Sequence, residues 1–142
     1  MAFSTANNGT TFTSRYAWNI NADVGAGSTR DTSGNAQDMT SLAYQSCEPG
    51  DIVFAECRSK TETTMTISSF RLQIVWYDRQ RTELSNTQSV NYSAAATSYQ
   101  KMICMGTAPA SATFWRLRVR VNKTVGAVWA DQLRGRCHRK DG

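Results

Sequence analysis

Three short segments collect side chains able to grip a polar ligand. In "FWRLRVRV", Phe114 to Val121, arginines recur at every second position: Arg116, Arg118 and Arg120. "DIVFAECRS" spaces Phe54, Glu56 and Arg58 in the same way, and "FRLQIVWYD" does so for Arg71, Gln73 and Tyr77. Residues i and i+2 of an extended strand share a face, so each segment presents one polar row. Aromatic faces stack on the C–H faces of sugars, while planar forked donors and carboxylates match pairs of hydroxyls. The nine residues are therefore candidate ligand-binding residues, for a glycan or a protein partner, if their strands share a sheet. Read without a ligand, they are solvated cross-strand pairs, Glu56 with an arginine for example, each worth about 1 kcal/mol or less. Both readings stand on the residues alone.

A polyanion is the rival ligand. Arginines two apart on a strand are separated by about 6.5–7 Å, close to the phosphate spacing of a single nucleic-acid strand. A base-binding sheet also needs outward aromatics beside the arginines. Phe114 is the one aromatic in the arginine row itself, so nucleic acid ranks behind glycan and protein partners. Catalysis finds little support: G-x-S-x-G, H-E-x-x-H and a phosphate-cradling Gly-rich loop are all missing. "GAGSTR", 25–30, lacks the lysine and the strand–helix context of a P-loop. Glu56 has no second carboxylate in view for glycoside hydrolysis. The expectation is a chain that is not an enzyme.

The 142 residues suit one domain with one core. The net charge of +5 is divided unevenly. Residues 1–70 hold four Lys/Arg against seven Asp/Glu, and residues 71–142 hold twelve against four. Such asymmetry marks either an acidic partner or a few outward strand positions with a basic tail, "RGRCHRK". Cys47, Cys57, Cys104 and Cys137 form no C-x-x-C pair, and His138 is the single histidine. They read as buried small hydrophobes or an incidental disulfide rather than a zinc site. No apolar run is long enough to span a membrane as a helix, and "MAFSTANNGTTFTSRYAW" does not read as a signal peptide.

The elements that must position these residues are strands. Phe70, Leu72, Ile74 and Trp76 alternate with Arg71, Gln73, Val75 and Tyr77, and Trp115, Leu117, Val119 and Val121 alternate with the arginines. In 51–59 the small set Val53, Ala55 and Cys57 is expected to face the core. "AVWADQL" places Ala127, Trp129, Asp131 and Leu133 on one side. "EPGD" at 48–51 has the Pro-Gly order of a type II turn, and "NKTVG" reads as a hairpin link. Weaker strands are expected over Phe12–Ile20, Met39–Gln45, Ser89–Tyr92 and Ser98–Met105, with a long loop over 21–37. About eight short strands predict an all-β, antiparallel two-sheet β-sandwich of the jelly-roll kind. The domain is expected to cover 1–135, followed by a frayed basic tail at 136–142.

The ordered set "EPGDIVFAECRSK", "FRLQIVWYDRQRTELS", "APASATFWRLRVRV" and "GAVWADQLR" resembles the jelly-roll carbohydrate-binding modules attached to xylanases, which recur in bacteriophage tail and other virion proteins. The resemblance covers roughly residues 40–135, and Trp18 sits where the family often has a first-strand tryptophan. Two departures stand out. Arg79, Gln80 and Arg81 occupy a turn that usually contains glycine, and the last strand keeps one acidic residue, Asp131, where two are common. Family members often hold a structural calcium at that aspartate, so the resemblance implies Asp131 as a metal ligand. Calcium needs six or more oxygens and the N-terminal segment offers no clear acidic partner, which leaves hydrogen bonding to loop backbone as the other role.

The resemblance implies a non-catalytic module with no required cofactor. Glycosidase-attached modules travel with a secretion signal and a catalytic domain. This Met-initiated sequence is instead expected in a virion, as a tail, receptor-binding or capsid-decoration component made in the host cytoplasm. Its expected partners are host-surface glycan or other virion proteins, in a homo-oligomer, with no membrane. The alternative is a carbohydrate-binding module excised from a secreted glycosidase.

Overall fold

Alternate apolar residues along the chain bury as the facing sides of two sheets. The computed structural model describes residues 2–5, 11–13, 18–21, 36–41, 43–61, 66–92, 94, 97–98, 100–125 and 127–140. They contain eleven strands: β1 (Ala2–Thr5), β2 (Thr11–Thr13), β3 (Trp18–Asn21), β4 (Ala36–Ser41), β5 (Gln45–Ser46), β6 (Ile52–Thr61), β7 (Thr66–Tyr77), β8 (Glu83–Gln88), β9 (Gln100–Thr107), β10 (Phe114–Val125) and β11 (Ala127–His138). One sheet has the order β2-β1-β4-β10-β7-β8, with β5 also on β10, and the other has the order β3-β11-β6-β9. All pairings are antiparallel, so the chain is an all-β two-sheet sandwich. No helix among the described residues is long and apolar enough to cross a membrane.

The core forms between the sheets. Phe70, Leu72, Ile74 and Trp76 of β7 and Trp115, Leu117, Val119 and Val121 of β10 face Val53, Ala55 and Cys57 of β6, with Met102 and Cys104 of β9. Val128 and Ala130 of β11 are buried, and so is Leu133. The shift from even to odd positions comes from a bulge: Asp131 pairs Arg58 while Arg134 pairs Glu56, so β11 carries one extra residue. The set expected on one side, Ala127, Trp129, Asp131 and Leu133, is therefore broken. The side chains of Trp18 and Asp131 lie outside the described residues, as does segment 22–35 with "GAGSTR" and most of the 21–37 loop. Among the described residues no cluster of acidic, His or Cys side chains could hold a metal.

Three other expectations change. "NKTVG" is not a hairpin link, because β10 and β11 belong to different sheets. Register shifts after Asn122 bend β10 as it leaves its sheet. The eighth strand lies at Glu83–Gln88 rather than Ser89–Tyr92. Ser89 and Tyr92 still follow β7, their N–H groups donating to the Leu72 and Phe70 carbonyls at 2.8 and 2.9 Å, and the Ser89 hydroxyl accepts the Leu72 N–H at 3.0 Å. The cysteines are free thiols, with Cys47, Cys57 and Cys104 buried as the small-hydrophobe reading expects, and burial pushes Cys47 and Cys104 up to about 11. Finally, no frayed tail starts at 136. Strand β11 continues through His138, and Arg139 and Lys140 after it are tied to the Pro-Gly turn.

That tie is Asp51. Gly50 takes φ +92° and the Asp51 N–H donates to the Glu48 carbonyl at 3.0 Å, which completes the expected type II turn. The Asp51 carboxylate is fully buried. It accepts the Glu48 N–H at 2.9 Å, the Arg139 guanidinium at 2.9 Å and the Lys140 N–H at 3.1 Å. Burial raises its pKa, but the Glu48 and Lys140 amides and the Arg139 charge outweigh that and hold it below the ordinary 3.8. A carboxyl depressed on folding contributes stability above its unfolded pKa and loses it as pH falls through the folded value. The melting temperature should therefore fall steeply below about pH 4. Asp51→Asn should melt lower at pH 7 and show a flatter acid limb in a pH series of thermal melts. An unchanged acid limb in that variant would assign acid sensitivity to other carboxylates.

Candidate functional site

The two sheets divide the nine candidate residues. Phe54, Glu56 and Arg58 are on β6, whereas Arg71, Gln73 and Tyr77 are on β7 and Arg116, Arg118 and Arg120 are on β10. The single groove expected if the strands shared a sheet therefore does not form. Two separate outer faces result, one on each sheet.

On the larger sheet, β7 and β10 pair in register, Tyr77 beside Phe114, Gln73 beside Arg118 and Arg71 beside Arg120. The middle of this face is not wet. Arg118 is 8% exposed and Gln73 1%. Arg118 Nε donates to Gln73 Oε1 at 2.6 Å, its Nη1 lies 3.4 Å from Glu83 Oε1, and Gln73 Nε2 donates to Gln88 Oε1 at 2.8 Å. Arg71 Nη1 donates to the Ser89 carbonyl at 2.8 Å. Arg120 is partly buried and also has a partner. Arg118 and Gln73 hold each other, and the backbone of Ser89 holds Arg71.

At the end of the row the chemistry is different. Arg116 donates twice to the Tyr77 hydroxyl, from Nη2 at 2.7 Å and Nε at 3.1 Å. Burial raises the Tyr77 phenol above its ordinary value, so it stays protonated as the acceptor. Tyr44, just before β5, packs edge-on to Tyr77 at 5.0 Å between ring centroids and to Phe114 at 6.0 Å. The Arg116 guanidinium lies 4.3 Å from the Tyr44 ring centre, and Arg81 lies 4.7 Å from Tyr44 and 5.5 Å from Phe114. Arg81 has φ +66°. That left-handed conformation costs a non-glycine residue about 1–2 kcal/mol. The Asp78–Thr82 turn holds it there, with Arg81 N–H on the Asp78 carbonyl at 2.9 Å and Thr82 N–H on Asp78 Oδ1 at 2.9 Å. Arg81 thus adopts a conformation that favours glycine and places its guanidinium over two aromatic rings.

The face of the smaller sheet is built from β9, β6 and β11. Cross-strand rows place Ile103, Glu56 and Arg134 together, then Met105, Phe54 and Arg136. Arg134 Nε donates to Glu56 Oε1 at 2.5 Å, and Lys101 Nζ lies 3.5 Å from Oε2. The Arg134 hydrogen bond leads in holding the Glu56 carboxyl below the usual range, against the rise from burial. A general acid needs the opposite shift. Arg58 is exposed. An open depression of about 320 Å³ lies between Phe54, Glu56, Arg134, Gly135 and Arg136. Ile52, Ile103 and Met105 are exposed beside it, Met105 by 65%.

Tyr44, Arg81, Arg134 and Arg136 were not legible as site residues. Tyr44 follows no alternation, Arg81 sits in a turn, and Arg134 and Arg136 belong to the basic run "RGRCHRK" that ends the last alternating segment. The one available signal was the missing glycine after Tyr77-Asp78.

No family model matches the sequence. No curated protein matches it either. Solved structures do. The enzymatically active domain of tailspike protein 4 of bacteriophage CBA120 is similar with a TM-score of 0.58 at 14% identity, over 95% of this chain and 19% of that one. A structure of infectious bursal disease virus, Gx strain, gives 0.57 at 13% identity, over 95% of this chain and 30% of that one. The CBM22-1–GH10 modules of Clostridium thermocellum endo-1,4-β-D-xylanase 10B, complexed with xylohexaose, give 0.55 at 14%, over 97% and 26%. This chain therefore spans well under half the length of each of these three. The fold is that of the jelly-roll carbohydrate-binding modules, and the phage tailspike domain and the infectious bursal disease virus structure share it.

Proposed function

We propose that this chain is a non-catalytic recognition module of a virion, and that it binds glycan at the Tyr44–Phe114 end of the larger sheet. The observation that carries the reading is Arg81. A strained backbone conformation retained on an arginine, with its guanidinium over two rings, points to a side chain kept for what it contacts. Aromatic surface beside preordered guanidinium forks is the chemistry that sugars require. The fold supports the same reading, since carbohydrate-binding modules share it.

Arg81→Gly separates stability from binding. Glycine relieves the left-handed strain while the stacking contacts, about 0.5–1 kcal/mol each at exposed sites, are lost. The melting temperature should stay within a few degrees of the parent. Retention on a glycan array spanning plant polysaccharides and bacterial surface glycans should fall about tenfold or more. Full retention by Arg81→Gly would remove the aromatic end of this sheet as the binding site. A second reading, docking on another virion protein, is favoured by the exposed Ile52, Ile103 and Met105. Binding to a purified capsid or tail protein, lost on Met105→Glu, would support it.

A further inference from the structure

We propose that the outer face of the smaller sheet carries a second ligand site, which takes a carboxylated sugar residue such as a uronic acid. The site is the depression between Phe54, Glu56, Arg134 and Arg136, on the sheet opposite Tyr44 and Arg81. It goes beyond the glycan reading above and does not depend on it. At about 320 Å³ it is at the small end of ligand pockets and suits one sugar ring rather than a chain.

The side chains divide the work. Phe54 is half-buried in the strand row between Met105 and Arg136, and offers apolar surface to the C–H face of a pyranose. Glu56 accepts hydrogen bonds but is already neutralised by Arg134 and Lys101, so it can take a hydroxyl without repelling an anion. Arg136 is the distinctive member. It is exposed and has no hydrogen-bond or ion-pair partner among the described residues, while Arg134 two positions away is paired. A guanidinium beside an aromatic floor, with its fork unoccupied, fits a planar carboxylate in bidentate fashion. A neutral sugar would leave that fork unused. The excess of positive charge over the single carboxylate also selects for an anionic ligand.

The bulge in β11 makes this juxtaposition. The extra residue between Asp131 and Arg134 sets Leu133 and Gly135 toward the core and brings Arg134 and Arg136 into the rows of Glu56 and Phe54. A Cβ on Gly135 would meet Leu117 and Trp115 at 3.1 Å, so the strand lies close against the core at the floor of the site.

The test is a heteronuclear NMR titration of the full chain with trigalacturonic acid, with xylotriose as the neutral control and poly-L-glutamate as the charge control. Saturable shifts of Phe54, Glu56 and Arg136 with trigalacturonic acid, and none with xylotriose, are expected. Arg136→Ala should weaken that binding about tenfold with an unchanged melting temperature, since Arg136 holds nothing in the fold. Arg136→Lys, which keeps charge without the fork, should fall between. Arg81→Gly should leave the titration untouched. Absence of binding, equal binding by Arg136→Ala, or equally tight binding of poly-L-glutamate at the same residues would overturn the proposal. The last result would make this face a docking surface for acidic protein.

Discussion

Replacing Arg118 by alanine should lower stability by about 3 kcal/mol, a cost no solvated arginine carries. Breaking a buried charge-bearing pair by deleting one partner costs roughly 3–5 kcal/mol, and a buried acceptor left unpaired costs roughly 1–3. Arg118 falls between these cases. Its guanidinium is nearly buried, its strong partner is the neutral Gln73 amide, and its ionic partner Glu83 is half-exposed at 3.4 Å. Alanine would strand Gln73 Oε1, whose residue is 1% exposed and which accepts the Arg118 Nε–H at 2.6 Å. Urea unfolding should show a lower midpoint with an unchanged slope, the signature of a stability change alone. Arg118→Lys should recover part of the loss, because a lysine can still donate to Gln73 but cannot span to Glu83. A shift below about 0.5 kcal/mol would return Arg118 to the class of exposed ion pairs. Because of this network, loss of binding in Arg118→Ala would not identify a contact residue. Arg81 and Arg136 are the informative positions.

The same arginine shows where sequence reasoning reaches and where it stops. Alternation assigned Trp115, Leu117, Val119 and Val121 to the core, and all four are buried. It also assigned Arg118 to the other side of the strand, which holds. What alternation cannot supply is how crowded that other side is. Whether a polar row is wet depends on neighbours brought by β8 and by Tyr44, which are distant in sequence. Sheet membership is lost for a similar reason. "NKTVG" between two alternating runs looks like a hairpin, yet it carries the chain from one sheet to the other. The nine candidates were divided by that kind of crossing, since β6 and β7 are consecutive but lie in opposite sheets.

One-residue irregularities hid the rest. The β11 bulge reverses which residues face the core, and no side-chain period announces it. Strand β8 was missed because "ELSNTQ" is exposed along nearly its whole length, so it has no apolar face to alternate. The Pro-Gly turn was legible because glycine and proline set backbone angles locally. Asp51, one residue further on, was not, because its partners Arg139 and Lys140 come from the far end of the chain.

Gly106→Ala should cost about 2–3 kcal/mol, although alanine normally suits a strand better than glycine. The backbone gain from that exchange is about 0.5–1 kcal/mol. Against it, a Cβ at Gly106 would lie 2.7 Å from Thr87 Oγ1, 2.8 Å from its Cβ and 2.9 Å from its Cγ2. Overpacking of this kind costs roughly 1–3 kcal/mol. Here the upper part of the range applies, because Thr87 cannot simply turn away. Its hydroxyl accepts the Trp76 indole N–H at 3.0 Å, and Trp76 is buried in the core. Moving Thr87 would leave that N–H unpaired. Trimming it does not suffice either, since Thr87→Ala keeps the Cβ that lies at 2.8 Å. The double variant Gly106→Ala/Thr87→Ala should therefore remain less stable than Thr87→Ala alone, by urea unfolding. Full rescue would mean that only the γ atoms clash and that β8 and β9 can approach as closely with two methyl groups between them. Partial rescue is the expected outcome, because Gly106 and Thr87 mark where the edge strands of the two sheets close on each other with no room for a second side chain.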